Sequence, residues 1–231
     1  MNKITVAIDG YSSTGKSTVA KQLADHLGYV FVDSGAMYRA VTLFAMRSGY
    51  ISITGFNKAK IEDCLSEVQL SFRKNNPEKK AEIYLNGENV EKEIRTMQVS
   101  ELVSTIATIS LVREKLVAQQ KDMGEAKGVV MDGRDIGTSV FPNAELKIFM
   151  TASAKTRARR RYDELLKLGD EITYTEVLTN VKERDYIDTT REDSPLLKAQ
   201  DAIEIDNSEM NKDDQFRIIL QLAEDRIAGR L

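Results

Sequence analysis

The sequence predicts an α/β protein with a three-layer fold, in which helices cover both faces of a central parallel sheet of five strands. Short apolar segments rich in β-branched residues alternate along the chain with longer segments of helical periodicity. The first apolar segment leads through a glycine-rich loop into a helix, which is typical of strand–helix–strand units with parallel strands. With 231 residues, 42% of them hydrophobic, the chain is long enough to bury such a core.

Five segments have the short, apolar character of buried strands. They are residues 3–9, 29–32, 128–132, 146–150 and 202–206. Apolar residues at helical spacing predict the helices between and after these strands. They are residues 16–27, 36–48, 61–68, 99–123, 155–167, 174–186 and 213 to the end of the chain.

One segment differs in character from the rest of the chain. Two short alternating runs, residues 69–73 and 82–85, are joined through the polar residues 74–80, and the turn Asn86-Gly87 follows them. Such runs predict a small antiparallel sheet, which reads as an insertion into a strand–helix–strand protein. We therefore divide a single predicted domain into a core of residues 1–54 and 96–231 and an insertion of residues 55–95.

Residues 10–17 fit the pattern G-x-x-x-x-G-K-[ST], the phosphate-binding loop of nucleotide-using proteins. Gly10 and Gly15 let the backbone curl so that successive N–H groups point at a phosphate, beside the positive end of the following helix. Lys16 can reach the terminal phosphates of a nucleoside triphosphate, and Ser17 can ligate the accompanying Mg²⁺. The alternative is a serine- and glycine-rich turn, but the strand before the loop and the helix after it favour a binding loop. The predicted contacts are Gly10, Tyr11, Ser12, Ser13, Thr14, Gly15, Lys16, Ser17 and Thr18.

Two further polar segments, residues 33–35 and 132–135, directly follow predicted strands. Ligands of open parallel sheets bind beyond the carboxyl ends of the strands, so we expect these segments to share one crevice with the loop. Asp132 stands where a protein with this loop usually carries a carboxylate near Mg²⁺. The alternative is a turn-forming or helix-capping aspartate.

Four arginines, at positions 39, 134, 184 and 191, are predicted to face this crevice. The guanidinium group can donate two parallel hydrogen bonds to the oxygens of one phosphate, and it stays charged at neutral pH. For any single arginine the alternative is a surface ion pair. As a set they indicate a second phosphorylated ligand, and therefore phosphoryl transfer to a small acceptor.

The predicted helix of residues 155–167 is strongly basic. Arg157 shares a helix face with Arg160 and Arg161. We interpret residues 155–170 as a short mobile lid that clamps a triphosphate. The alternatives are a solvated face paired with acidic residues of the same helix, or a nucleic-acid contact, which the net charge of −3 disfavours.

Composition and net charge limit the partners and the cellular location that we expect for the protein. The acidic balance argues against a nucleic-acid partner, and no run approaches 18 consecutive apolar residues, so no membrane span is expected. The single Cys64 excludes an intrachain disulfide and fits a reducing compartment. The N-terminal residues lack the pattern of a signal peptide. We therefore expect a cytoplasmic protein, and nothing in the sequence demands that it be more than a monomer.

Five strings together resemble the bacterial cytidylate kinases, nucleoside monophosphate kinases with the phosphate-binding loop, over residues 3–225. They are residues 8–18, D-S-G-A-M-Y-R at 33–39, E-I-R-T at 93–96, D-G-R-D-I-G-T at 132–138 and K-E-R-D at 182–185. The resemblance implies transfer of the γ-phosphoryl group of ATP, with Mg²⁺, to CMP or dCMP. It also implies that the small antiparallel insertion belongs to the acceptor-binding region.

The resemblance also implies roles for individual residues. The acceptor phosphate would be contacted by Ser34, Tyr38, Arg39 and Arg134. The cytosine edge would be read by Ser104, Arg113 and Asp135, and the sugar and phosphates would be held by Arg184, Asp188 and Arg191. The residues that would stabilise charge during transfer are Lys16, Arg134, Arg157, Arg160 and Arg184.

No general base is needed for such a transfer, because a phosphate monoester with a second pKa of about 6 is already anionic at neutral pH. Three alternatives remain at this point. They are a kinase for UMP or another small acceptor, a slow nucleotide switch, and a nucleic-acid-stimulated ATPase.

Overall fold

The computed structural model describes residues 2–74 and 81–230. The chain divides into two compact units. The parallel-sheet unit comprises Met1–Asp33 and Gln119–Leu231, and the antiparallel-sheet unit comprises Ser34–Ala118. The polar link predicted between the two runs of the insertion, with Pro77, lies almost entirely outside the described residues.

The strands are β1 (Thr5–Gly10), β2 (Val30–Asp33), β3 (Ile51–Ser52), β4 (Gly55–Phe56), β5 (Leu70–Lys74), β6 (Ala81–Leu85), β7 (Glu88–Asn89), β8 (Val129–Gly133), β9 (Leu146–Thr151) and β10 (Ile203–Asp206). The helices are α1 (Lys16–Leu27), α2 (Ser34–Arg47), α3 (Lys58–Asp63), α4 (Met97–Ile106), α5 (Ser110–Gly124), α6 (Ala154–Leu168), α7 (Tyr174–Thr190) and α8 (Lys212–Ile227). None of the helices in the described residues is long and apolar enough to cross a bilayer.

The parallel-sheet unit contains a sheet of five parallel strands in the order β10–β9–β1–β8–β2. Its central strand, β1, is buried along its whole length, and Val6 pairs with Val130 on one side and Leu146 on the other. The five predicted strands and their parallel arrangement are therefore confirmed. Because all five strands point the same way, the loops after β1, β8, β9 and β10 leave the sheet at one edge.

The core of this unit forms between β1 and two helices, α1 and α8. Val19 and Leu23 of α1 and Ile219 and Ala223 of α8 pack with the strand residues in one apolar cluster. A fully buried Val, Leu or Ile side chain contributes about 1.5–3 kcal/mol, so this packing holds α1, and the loop before it, against β1.

Three helices of this unit begin where a side chain caps the first turn. The caps are Ser153 for α6, Thr173 for α7 and Asn211 for α8, each of which accepts a backbone N–H three residues ahead. The predicted starts of these helices lie within one residue of the observed ones.

The antiparallel-sheet unit contains the predicted small sheet. Its strands β5, β6 and β7 are antiparallel neighbours, and Leu70 pairs with Leu85. Ile83 and Leu85 are buried, and α2 packs against β6. A two-stranded ribbon, β3 with β4, was not predicted.

Two predicted helices of this region are wrong in detail. Residues 99–123 form two helices, α4 and α5, and the break falls where the Thr108 hydroxyl donates to the carbonyl of Thr105 at 2.8 Å. At the break the N–H groups of Thr108 and Ile109 donate to the carbonyls of Thr105 and Ile106, three residues back, so the α-helical pattern of hydrogen bonds ends there. Residues 61–68 lie in α3, which starts earlier because Asn57 caps it, and in a separate 3₁₀ turn, Leu65–Glu67.

Candidate active site

The glycine-rich loop connects β1 to α1, and two glycines are required there by geometry. Gly10 has φ +146°, and a Cβ atom on it would lie 2.0 Å from the carbonyl oxygen of Met150 in β9. No side chain fits that space. Gly15, the residue before α1, has φ +89°, in the left-handed region that favours glycine.

The loop carbonyls accept hydrogen bonds from side chains of the loop and of later segments. The carbonyl of Tyr11 accepts from the Lys16 ammonium at 3.0 Å and from the Thr14 hydroxyl at 3.0 Å. The carbonyl of Ser12 accepts from Arg157 at 3.3 Å, and that of Thr14 accepts from the Asn207 amide at 2.6 Å. In a trans peptide the N–H points opposite to the C=O, so these contacts define the directions of the N–H groups of Ser12, Ser13 and Gly15.

This arrangement fits a phosphate group. Successive N–H groups at the positive end of a helix form an anion-binding concavity. The buried Ser12 hydroxyl has no hydrogen-bond partner within the described part of the chain. A buried polar atom without a partner is costly, and a phosphate oxygen would satisfy it.

Lys16, Ser17 and Asp132 form the charged part of the loop site. The Ser17 hydroxyl donates to Asp132 Oδ2 at 2.6 Å. Burial and the neighbouring Asp33 raise the pKa of the Asp132 carboxyl, whereas burial and Arg134 lower the pKa of the Lys16 ammonium. Negative charge from a bound phosphate favours the charged ammonium. Ser17 and Asp132 are hard oxygen donors of the kind that Mg²⁺ prefers, so the pair fits a Mg²⁺–triphosphate.

Asp9, the residue before the first loop glycine, links β1 to the turn after β8. Its carboxylate accepts the backbone N–H of Ile136 at 2.8 Å and of Gly137 at 2.7 Å. Burial raises the pKa of Asp9 to about 6, although both hydrogen bonds oppose the shift. The same turn carries Arg134 and Asp135, so Asp9 orients the segment that presents them.

Five predicted acceptor residues of the parallel-sheet unit lie close together. Arg134 donates to Asp188 at 2.9 Å, and Arg191 lies 3.8 Å from both Asp188 and Asp135. Burial and the nearby Arg134 lower the pKa of Arg184 to about 10, so it stays protonated at neutral pH. Although burial raises it, the pKa of Asp188 is held below its usual value by Arg134, Arg184 and Arg191. The result is a cluster of three guanidinium groups and two carboxylates, all buried except Arg134, which is half-buried.

The other five predicted acceptor residues lie in the antiparallel-sheet unit. Ser34 and Tyr38 are buried in the first turns of α2, and Arg39 follows them half-buried. The Arg113 guanidinium of α5 lies 5.8 Å from the centre of the Tyr38 ring. Ser104 is buried on α4, 2% exposed. The roles of these residues stay predictions.

The basic helix α6 uses two of its arginines to hold the loop backbone. Arg157 is 3% exposed and makes a two-point ion pair with Asp185, at 2.9 and 2.5 Å. Its guanidinium also lies 5.0 Å from the centre of the Tyr11 ring. Arg160 donates to the side chain and the backbone of Asn207. The lid stays a prediction, but in this structure both arginines are engaged with protein groups.

Sequence reasoning missed three residues of this site: Asp9, Asp185 and Asn207. Asp9 and Asn207 each stand at the carboxyl end of a strand, a position that could have drawn attention to them. Asp185 lies one residue from the predicted Arg184. No local pattern could have identified the partners of these residues. Asn207, for example, contacts residues 14 and 160, which are remote from it along the chain.

Comparison with known proteins places the chain among relatives of one family. The sequence model of the family described as cytidylate kinase matches residues 6–225. The cytidylate kinase of Flavobacterium psychrophilum is 64% identical over 96% of this chain and 98% of its own length. The cytidylate kinase of Flavobacterium johnsoniae is 63% identical over 97% of this chain and 98% of its own length. The cytidylate kinase of Phocaeicola vulgatus is 53% identical over 99% of this chain and 100% of its own length.

Solved structures with low sequence identity share the fold. A protein of unknown function from Eubacterium ventriosum superposes with a TM-score of 0.50 at 12% identity, over 97% of this chain and 99% of that one. This likeness concerns the fold alone.

Proposed function

Because the chain belongs to the cytidylate kinase family, we propose that it transfers the γ-phosphoryl group of ATP to CMP or dCMP. The products are ADP and CDP or dCDP. The observation that carries the proposal lies within the parallel-sheet unit. Arg134 and Arg184 of the arginine cluster lie close enough to Lys16 of the loop to lower its pKa. This proximity supports the proposal that the donor loop and the acceptor arginines act in one charged site.

The transfer is an in-line displacement. An oxygen of the CMP phosphate forms a bond to the γ-phosphorus as the bond to the β,γ-bridging oxygen breaks, and ADP leaves with that oxygen. The acceptor oxygen is already anionic, so no residue has to remove a proton. The barrier comes from bringing two anions together and aligning them.

The chain's own residues act on that barrier by charge and position. The N–H groups of the loop, residues 10–18, bind the donor phosphates, and Lys16 neutralises their charge. Arg134 and Arg184 oppose the repulsion between the two ligands, and we assign Arg157 and Arg160 to the donor side through their contacts with the loop. When bound, Mg²⁺ would be ligated by the Ser17 hydroxyl, which Asp132 holds by a hydrogen bond. The ion would supply further charge neutralisation.

The acceptor roles follow the resemblance. We assign Ser34, Tyr38 and Arg39, with Arg134, to the acceptor phosphate, and Arg184, Asp188 and Arg191 to its sugar and phosphates. We assign Ser104, Arg113 and Asp135 to the cytosine edge. Their burial supports these roles, because buried polar groups can discriminate a base by its hydrogen bonds. We assign the insertion of residues 55–95 to the acceptor side as well.

We also propose that the protein acts as a monomer in the cytoplasm, where its single cysteine stays reduced. Its small-molecule partners would be ATP and CMP or dCMP, with no nucleic acid.

The test is ADP release from Mg²⁺–ATP with CMP, dCMP, UMP, AMP or no acceptor. We expect strong stimulation by CMP and dCMP only. Stimulation by UMP alone would indicate a kinase for another acceptor. Equal ADP release with and without every acceptor would reject phosphoryl transfer and favour a slow nucleotide switch.

A further inference from the structure

Asn207 follows β10 directly, and its side chain is completely buried, 0% exposed. Its backbone N–H donates to the carbonyl of Thr151 at 2.9 Å, which continues the pairing between β9 and β10 by one residue. A primary amide in such a place must find partners for two N–H groups and one oxygen.

The partners of this amide define its orientation. Its nitrogen donates to the carbonyl oxygen of Thr14 at 2.6 Å and to Gln215 Oε1 at 2.5 Å. Its oxygen accepts from Arg160 Nη1 at 3.0 Å. A carbonyl can only accept and a guanidinium can only donate, so the nitrogen must face Thr14 and the oxygen must face Arg160.

The contact with Thr14 bears directly on the donor loop. Within the described residues the Thr14 carbonyl has one other donor, Arg160 at 3.4 Å, so Asn207 makes the shorter of its two contacts. Gly15 has no side chain to restrict its φ, and its own carbonyl accepts the N–H groups of Thr18 and Val19 at 3.1 and 3.2 Å. With the carbonyl held by Asn207, the Gly15 N–H points away from Asn207, towards the side where the loop presents its amides.

We propose that Asn207 is a positioning residue for the donor triphosphate. Its amide holds the Thr14–Gly15 peptide in the phosphate-binding orientation and joins the loop to α6 through Arg160. A role in stability alone would lower the unfolding midpoint and leave ligand affinities unchanged. A positioning role makes the affinity for ATP fall selectively.

The test measures nucleotide binding directly and therefore does not depend on transfer. Isothermal titration calorimetry with Mg²⁺–ATP and, separately, with CMP is carried out on the wild type, Asn207→Ala and Asn207→Asp. We expect the dissociation constant for ATP to rise about tenfold in Asn207→Ala, the factor that corresponds to about 1.4 kcal/mol. The constant for CMP should change less than about twofold. Glu204→Gln, an exposed position on β10 paired with Lys198, is the matched control.

Asn207→Asp keeps an acceptor for Arg160 but places a carboxylate against the Thr14 carbonyl. It should weaken ATP binding at least as much as alanine does, and it provides the measurement if Asn207→Ala does not fold. Unchanged ATP affinity in either folded variant, or equal losses for ATP and CMP, would overturn the proposal. Because it concerns ATP as the donor it rests on the proposed function, but a wild type that binds ATP without transferring phosphate would refute only that function.

Discussion

Replacing Arg157 by alanine should lower the free energy of unfolding by about 3 kcal/mol. The side chain is 4% exposed, its two-point pair with Asp185 spans 2.9 and 2.5 Å, and its Nε donates to the carbonyl of Ala152 at 2.9 Å. Breaking a buried ion pair costs about 3–5 kcal/mol, because one charge is left without a partner. The lower end applies here, since the Asp185 side chain is 20% exposed and water can reach it.

The assay is urea unfolding of the full chain, followed by far-ultraviolet circular dichroism. With a denaturant slope of about 3 kcal/mol per molar urea, the midpoint should fall by about 1 M. Arg217→Ala is the control, because Arg217 forms an exposed pair with Asp214 on α8. An exposed pair contributes about 1 kcal/mol or less.

The double variant Arg157→Ala/Asp185→Ala tests the cause of the loss. It leaves no unpaired carboxylate, so it should unfold at a higher urea concentration than Arg157→Ala alone. A cost of Arg157→Ala no larger than that of Arg217→Ala would refute the reasoning. So would a double variant less stable than Arg157→Ala.

Three further predictions concern charge at the site. Lys16→Ala should lower turnover by about 10²-fold or more, as expected for a lost preorganised charge, and near-normal turnover of the folded variant would contradict its role. Asp135→Ala should reduce discrimination of CMP from UMP in competition assays, and unchanged selectivity would remove it from the base site. Because burial raises the pKa of Asp9 from 3.8 to about 6, the folded state holds this proton more tightly than the unfolded state. Stability from this group is therefore greatest below pH 4 and declines by about 3 kcal/mol as the pH rises past 6. The Asp9→Asn variant has no carboxyl to titrate at this position. The free energy of unfolding of the wild type, relative to that of Asp9→Asn, should therefore fall between pH 4 and pH 7. A difference that stays constant over this range in urea unfolding would contradict the raised pKa of Asp9.

Local patterns were sufficient for the elements of the parallel sheet. The strands and α1 carry periodicity, β-branched residues and glycine signals within a few positions of one another, and the loop pattern is entirely local. The break between α4 and α5 escaped because the apolar spacing of the segment continues through it. It shows only in the backbone, where the N–H groups of Thr108 and Ile109 donate to the carbonyls three residues back, at Thr105 and Ile106.

At the site, too, the sequence identified residues but not the contacts that they make. Sequence could identify Arg157 and Arg160 as charged groups on one helix face. It could not predict that Asp185 and Asn207 would be their partners, because ion pairs and hydrogen bonds depend on distances between segments that are remote along the chain.

The sequence by itself determined the alternation of strands and helices, the loop between β1 and α1, and the family to which the chain belongs. The tertiary structure decided which groups hold that loop in shape. The strand order β10–β9–β1–β8–β2 brings the residues after β9 and β10 beside the loop after β1, so that residues 14, 160 and 207 meet. Periodicity reports how each segment buries its own apolar face, whereas contacts between loops exist only once the sheet has assembled in that order.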